Sequence, residues 1–126
     1  MRPAISSPRP RLLLAEDDPL VRRALQLLLS GRGVEVRAYG SGKDVLSDPL
    51  TRDARALLSD YKMPDVDGLT LIAALRASGW PGRAIMITGY PHAELTAQAL
   101  AAGFESVLEK PVSETALLLA VDRLMA

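Results

Sequence analysis

Short apolar runs and longer stretches with helical spacing alternate five times along the chain. RLLLA at 11–15 reads as a strand, since a short continuous apolar segment suits a strand buried on both faces. PLVRRALQLLLS follows from Pro19, with Leu20, Val21, Ala24, Leu27 and Leu28 at helical spacing and Gly31 and Gly33 as its stop. VEVRA at 34–38 alternates as expected of a strand near a sheet edge, and SGKDVLSD is a short helix with Ser41 and Asp44 in capping-box register. ALLSD at 56–60 is a third strand, and GLTLIAALRASG is a helix that Gly79 and Pro81 terminate. AIMIT at 84–88, the alanine-rich PHAELTAQALAAG, ESVLE and SETALLLAVDRLMA complete the series as strand, helix, strand and amphipathic helix.

Five β-α units with apolar strands predict an α/β fold, a doubly wound parallel sheet of five strands with helices on both faces. Ligands of such sheets sit at the carboxyl ends of the strands, near the point where strand order reverses. The residues that end the strands are Glu16-Asp17-Asp18, Asp60, Thr88-Gly89 and Glu109-Lys110-Pro111. Asp18 precedes Pro19, and an Asp N-cap with Pro at the first helical position explains it without further chemistry. Glu16, Asp17 and Asp60 remain as a cluster of three carboxylates. Two such charges about 4 Å apart repel by roughly 4 kcal/mol at an effective dielectric of about 20, so the cluster calls for a cation. Oxygen ligands without Cys or His nearby suit Mg²⁺, with Mn²⁺ able to substitute.

Lys110 adds a fixed positive charge and Thr88 a hydroxyl, both suited to a phosphoryl oxygen, while Gly89 keeps the approach to Asp60 open. A carboxylate flanked by a divalent cation, a lysine and a hydroxyl is a nucleophile for phosphoryl transfer, because these groups stabilise the charge on the group in flight. The expected product is an aspartyl phosphate on Asp60.

Composition narrows the alternatives. The chain has 126 residues, enough for one domain over 11–126, preceded by MRPAISSPRP at 1–10, a basic, proline-rich and disordered lead-in rather than a signal peptide. Lys plus Arg number 15 against 15 Asp plus Glu, so the domain lacks the basic footprint of a nucleic-acid binder. There are no cysteines, which excludes thiol nucleophiles and thiolate metal sites. The apolar runs fall short of the roughly 18 residues of a membrane span, and the default location is the cytoplasm.

LLLAEDDPLVRRAL, LLSDYKMPDVDGL, IMITGY and VLEKP, in this order and spacing, closely resemble the receiver domain of two-component response regulators from about Arg11 to the C-terminus. The resemblance implies a chemotaxis-regulator-like, flavodoxin-like (βα)5 fold with strand order 2-1-3-4-5. It makes Asp60 the phosphoacceptor, Asp17 a direct Mg²⁺ ligand, Glu16 an acidic partner acting largely through water, and the main-chain carbonyl of Lys62 another ligand. Thr88 and Lys110 would bind the phosphoryl group, and the Lys110–Pro111 peptide would be cis. The donor would be a phosphohistidine on a sensor histidine kinase or phosphotransfer protein, and small acyl phosphates would substitute. The domain would catalyse its own phosphorylation and slow dephosphorylation without being a turnover enzyme, and would control a partner protein by changing conformation, with a phosphorylation-dependent homodimer as one form. The surface expected to respond is the loosely patterned helix at 91–102 with the fifth strand and last helix. One position departs from the family: Val107 stands where many receivers carry Tyr or Phe. Lys62 and Tyr90 lie at positions that tune dephosphorylation, and Tyr90 is a candidate to stand in for the missing aromatic. No output domain follows Ala126, which fits a stand-alone receiver or one excised from a longer regulator or hybrid kinase.

Rival readings rest on less. DVDGL at 65–69 imitates the signature of haloacid-dehalogenase-type phosphatases, but that motif needs its first Asp at the end of an apolar strand, and Asp65 follows Met63-Pro64. Asp65 is expected to be solvated and Asp67-Gly68 to form the turn into the next helix. GSGK at 40–43 lacks the first glycine and the Ser/Thr of a P-loop and reads as a helix start. His92 suits a surface or capping role, and Tyr61, Trp80 and Phe104 are too isolated to form a base-stacking platform. A degenerate receiver acting as a phosphorylation-independent interaction module is the remaining alternative, although such domains lose the Asp, Thr or Lys that this chain keeps.

Overall fold

The structure is a computed structural model that describes residues 9–126. The expected lead-in at 1–10 therefore lies almost wholly outside the described residues. Five parallel strands, β1 (Arg11–Ala15), β2 (Glu35–Tyr39), β3 (Ala56–Asp60), β4 (Arg83–Thr88) and β5 (Phe104–Glu109), form one sheet in the order β2-β1-β3-β4-β5. The helices are α1 (Pro19–Leu29), α2 (Gly42–Ser47), α3 (Gly68–Ala77), α4 (Ala93–Ala102) and α5 (Glu114–Met125). This is the doubly wound arrangement that the β-α alternation predicts, with the flavodoxin-like strand order that the family resemblance implies. A 3₁₀ turn at Pro49–Asp53, which the apolar pattern does not signal, follows α2.

The central strands β1, β3 and β4 bury both faces because successive side chains point to opposite sides. Leu12, Leu14, Ala56, Leu58, Ile85 and Ile87 meet Leu29 of α1 and Leu117, Val121 and Leu124 of α5. Leu13, Ala15, Leu57, Ala84 and Met86 face the other way, onto Val45 of α2, Leu71, Ile72 and Leu75 of α3, and Leu95 and Ala99 of α4. Trp80 and Phe104 join this second core, and the Trp80 indole N–H donates to the Ala54 carbonyl at 3.0 Å, so these aromatics are packing residues.

Helix starts follow local chemistry. Asp18 caps α1 by accepting from the N–H groups of Leu20 and Val21, with Pro19 in the first turn. Ser41, Asp67 and Ser113 cap α2, α3 and α5 in the same way. Asp65 is exposed, as its place after Met63-Pro64 predicts, and its carboxylate in addition accepts the Lys43 N–H at 2.9 Å and so tethers the β3–α3 loop to the start of α2. Partial desolvation pushes its carboxyl up, and the surrounding main-chain N–H donors, Lys43 first, outweigh that and hold it below the ordinary value.

The buried face of α1 also differs from expectation. Leu20 and Leu27 are 80% and 63% exposed, whereas Leu29 is fully buried and Leu25 and Leu28 pack beside it. The helix is apolar on more than one side, so periodicity alone does not choose the inward stripe. Leu29→Ala is expected to destabilise the domain by about 2–5 kcal/mol and Leu27→Ala by no more than about 0.5 kcal/mol, measured by urea unfolding.

Arg83 fastens the far end of the sheet to α5. Its guanidinium pairs with Glu105 and donates to the carbonyls of Arg123 (2.8 Å) and Leu124 (3.4 Å). Hydrogen bonding from Arg83 holds the Glu105 carboxyl below its ordinary value, against a smaller opposing effect of desolvation. A carboxyl depressed on folding adds stability that is present above its unfolded value and is lost as pH falls through the folded one. Glu105→Gln should therefore cost less than about 1 kcal/mol at neutral pH, the pair being partly exposed, and nothing in strong acid, as read from urea midpoints of both proteins across that range.

Candidate phosphoacceptor and metal site

The parallel arrangement brings the carboxyl ends of β1, β3, β4 and β5 to one rim, with β1 and β3 adjacent at its centre. Asp60 is the last residue of β3 and Thr88 the last of β4, and both are buried. Glu16 and Asp17 follow β1 directly, and Lys110 follows β5. One carboxylate oxygen from each of Glu16, Asp17 and Asp60 lies within 4.8 Å of the other two. Lys110 Nζ reaches over the same rim, 3.0 Å from Asp60 Oδ2 and 2.8 Å from Glu16 Oε1. The Lys110–Pro111 peptide is cis.

Glu16 is fully buried. Its Oε2 accepts the Asp18 N–H at 3.1 Å, but Oε1 has only the Lys110 ion pair and no aligned hydrogen-bond donor. Burial pushes the Glu16 carboxyl up, and the opposing pull of Lys110 and the Asp18 N–H does not cancel it. Lys110 is shifted in the direction that favours its charge: desolvation acts against the ammonium, and its close contacts with the Glu16 and Asp60 carboxylates prevail. A buried oxygen without a donor, in an all-oxygen set of three carboxylates, fits a small hard cation.

Glycine 68 decides how close α3 comes. Its N–H donates to the Tyr61 carbonyl at 2.7 Å, and a Cβ there would lie 2.8 Å from the Asp60 carbonyl oxygen. The obstacle is backbone on both sides, so any side chain would push α3 off the rim. The glycine of DVDGL thus has a packing role that the motif comparison with phosphatases does not supply.

A cleft of about 460 Å³ opens in front of Asp60, walled by Tyr61, Lys62, Thr88, Gly89, Tyr90, His92, Leu95 and Lys110. A Cβ at Gly89 would meet no atom within 4 Å, so the cleft is open on that side. Tyr90 is 83% exposed, and its N–H donates to Thr88 Oγ1 at 3.2 Å. His92 caps α4, its Nδ1 accepting the Leu95 N–H at 3.2 Å. Val107 is not at the cleft wall; it is half-buried against the core on the α2–α3–α4 side. Lys62 lines the cleft, in the loop after β3.

The acidic, lysine-bridged rim lies at the carboxyl ends of the central strands, where open α/β sheets bind their ligands. The family is shown by sequence: the response regulator receiver domain matches residues 12–122, and the chain belongs to that family of two-component signalling domains. It is 32% identical over 106 residues to the transcriptional regulatory protein FixJ of Azorhizobium caulinodans, covering 84% of this chain and 50% of that protein. A 14.6 kDa protein of Leptolyngbya boryana is 33% identical over 114 residues, with 89% of this chain and 87% of that protein covered. Among solved structures, the receiver domain of an HD domain-containing protein from Pseudomonas fluorescens superposes with a TM-score of 0.85 at 28% identity, over 93% of this chain and 94% of that one. The chain spans about half the length of the FixJ protein, so the match concerns the signalling domain. Receivers are signalling domains rather than turnover enzymes, and the phosphatase reading of DVDGL falls with that assignment.

Gly68→Ala is expected to destabilise the domain by about 1–3 kcal/mol in urea unfolding, since either α3 or the Asp60 main chain has to move.

Proposed function

We propose that this domain takes a phosphoryl group from a phosphohistidine onto Asp60 in a Mg²⁺-dependent reaction, and that the phosphorylated state controls a partner protein. The observation that carries this reading is the rim itself, where three carboxylate oxygens lie within 4.8 Å of one another and Lys110 contacts both Asp60 and Glu16. Asp60 and Asp17, with the main-chain carbonyl of Lys62, would hold the ion, and Glu16 would act on it largely through water. Bound there, Mg²⁺ supplies positive charge that offsets the carboxylates and the incoming phosphoryl oxygens.

An Asp60 carboxylate oxygen attacks the phosphorus, the P–N bond breaks, and its electron pair stays on the imidazole, which takes up a proton. The Lys110 ammonium leaves its ion pair with Asp60 for a phosphoryl oxygen, and the Thr88 hydroxyl donates to another. The acyl phosphate is later cleaved by water at phosphorus, releasing inorganic phosphate and restoring the Asp60 carboxylate. Tyr90 and Lys62, on the cleft wall, govern how readily water arrives. As Thr88 turns to the phosphoryl group, the Tyr90 N–H that it now accepts is released, and the β4–α4 loop shifts with it. The start of α4 follows readily, because α4 buries only Leu95 and Ala99. This path needs no aromatic at Val107 and carries the change to α4, β5 and α5, where a partner or a second copy would read it.

The donor class is a sensor histidine kinase or phosphotransfer protein in the cytoplasm. No helix among the described residues is long and apolar enough to cross a membrane.

Incubation with acetyl phosphate and Mg²⁺ followed by intact-mass measurement tests the reading. One phosphoryl adduct is expected in the parent, and none in Asp60→Asn or with excess chelator. An unmodified parent would instead favour a phosphorylation-independent interaction module. Tyr90→Ala and Lys62→Ala should each change the decay rate of the adduct, and decay at the parent rate in both would remove them from the mechanism.

A further inference from the structure

Arg22 takes no part in the chemistry above, yet it is built into the acidic end of the rim. It lies in the first turn of α1, and its guanidinium folds back over the β1–α1 loop. Nη1 donates to the carbonyl of Glu16 at 2.9 Å and to that of Asp17 at 3.4 Å. Those two carbonyls lie past the end of β1 and ahead of the first helical acceptor, the Asp18 carbonyl that takes the Arg22 N–H at 2.8 Å. Neither the sheet ladder nor α1 supplies them with a donor, and Arg22 does.

On its other side the guanidinium meets Gly40, the residue after β2. A Cβ on Gly40 would come 3.0 Å from Nη1 and 3.6 Å from Cζ. β2 also holds the loop directly, since the Glu16 N–H donates to the Tyr39 carbonyl at 3.0 Å. The main chain of the acidic pair is thus clamped from two sides, by β2 and by Arg22, and Gly40 leaves the room in which the guanidinium lies.

The choice of acceptor matters. Lys110 places its charge on the carboxylate oxygens of Glu16 and Asp60, where it competes with a cation for the same atoms. Arg22 brings its charge to the cluster through main-chain carbonyls, so it offsets repulsion among the carboxylates without occupying their oxygens.

We propose that Arg22 is a positioning residue for the cation site: it fixes the main chain of Glu16 and Asp17 so that their carboxylates converge with that of Asp60, and the absence of a side chain at Gly40 leaves it the room to do so. This inference rests on the Mg²⁺ reading above. The test compares the parent with Arg22→Ala, Gly40→Val and the double variant. Mg²⁺ alone is titrated calorimetrically, amide exchange of Asp18 is followed in the metal-free protein, and urea midpoints report global stability. Arg22→Ala and Gly40→Val should each weaken Mg²⁺ binding by about tenfold, in the range found when groups that orient metal ligands are removed. Each should also accelerate Asp18 exchange, because that N–H is held by Glu16 Oε2. The double variant should be no worse than either single one, since both remove the same contact.

Parent-like Mg²⁺ affinity and Asp18 exchange in either folded single variant would overturn the proposal, as would fully additive losses in the double variant. A lowered urea midpoint with unchanged affinity would assign Arg22 to stability alone and likewise overturn it. If Arg22→Ala fails to fold, Gly40→Val carries the test. A parent that binds no Mg²⁺ would refute the proposed cation, and Asp18 exchange would still decide whether Arg22 orders the acidic loop.

Discussion

A single lysine ammonium lies between two buried carboxylates, and the organisation of the rim depends on it. Lys110 Nζ is 2.8 Å from Glu16 and 3.0 Å from Asp60, so residues at the ends of β1, β3 and β5 are joined by one charge. Without a cation, the repulsion within the acidic cluster would fall on a loop that has few apolar contacts of its own. With Lys110 in place, the cluster persists as an arrangement that is stable yet short of positive charge. Glu16 Oε1, fully buried, has that ammonium as its one close polar partner among the described residues.

The proposed chemistry and the proposed motion meet at this rim. Thr88 and Lys110 stand at the ends of neighbouring strands, and the Lys110 N–H donates to the Thr88 carbonyl at 2.8 Å. Their side chains are engaged differently, Lys110 with carboxylates and Thr88 Oγ1 with the Tyr90 N–H. A phosphoryl group on Asp60 would draw on both at once, releasing one ion pair and one loop contact. The ends of α5 and β4 opposite the rim are fixed by Arg83, and Arg55 adds a bond to the Met125 carbonyl at 3.1 Å. At the rim itself the β4–α4 loop leads directly into α4, whose first turn buries Leu95 and is capped by a histidine ring.

Several groups beyond the expected site residues shape this site. Gly68 lets α3 approach the Asp60 main chain, Asp65 ties the β3–α3 loop to α2, and Arg22 fills the space over Gly40. The sequence carries a weak sign of the first, in Asp-Gly before an apolar helical run. It carries none of the other two, because an exposed aspartate and an arginine on a helix look alike whether they bond to solvent or to a distant backbone.

The apolar alternation determined the five β-α units and the two-sided burial of the central strands, and local polar residues marked the helix starts at Asp18 and Ser41, since these follow from side-chain period and from hydrogen bonds within a few residues. The strand ends likewise marked Glu16, Asp17, Asp60, Thr88 and Lys110 as a group once a parallel sheet was inferred. Only the tertiary structure decided which stripe of α1 faces inward, because Leu, Val and Ala cover more than one side of that helix. It alone decided the short turn at Pro49–Asp53, the clamp of Arg22 over Gly40 and the cap from Asp65. The clamp and the cap depend on contacts with segments distant in the chain, and such contacts leave no periodic trace in the sequence.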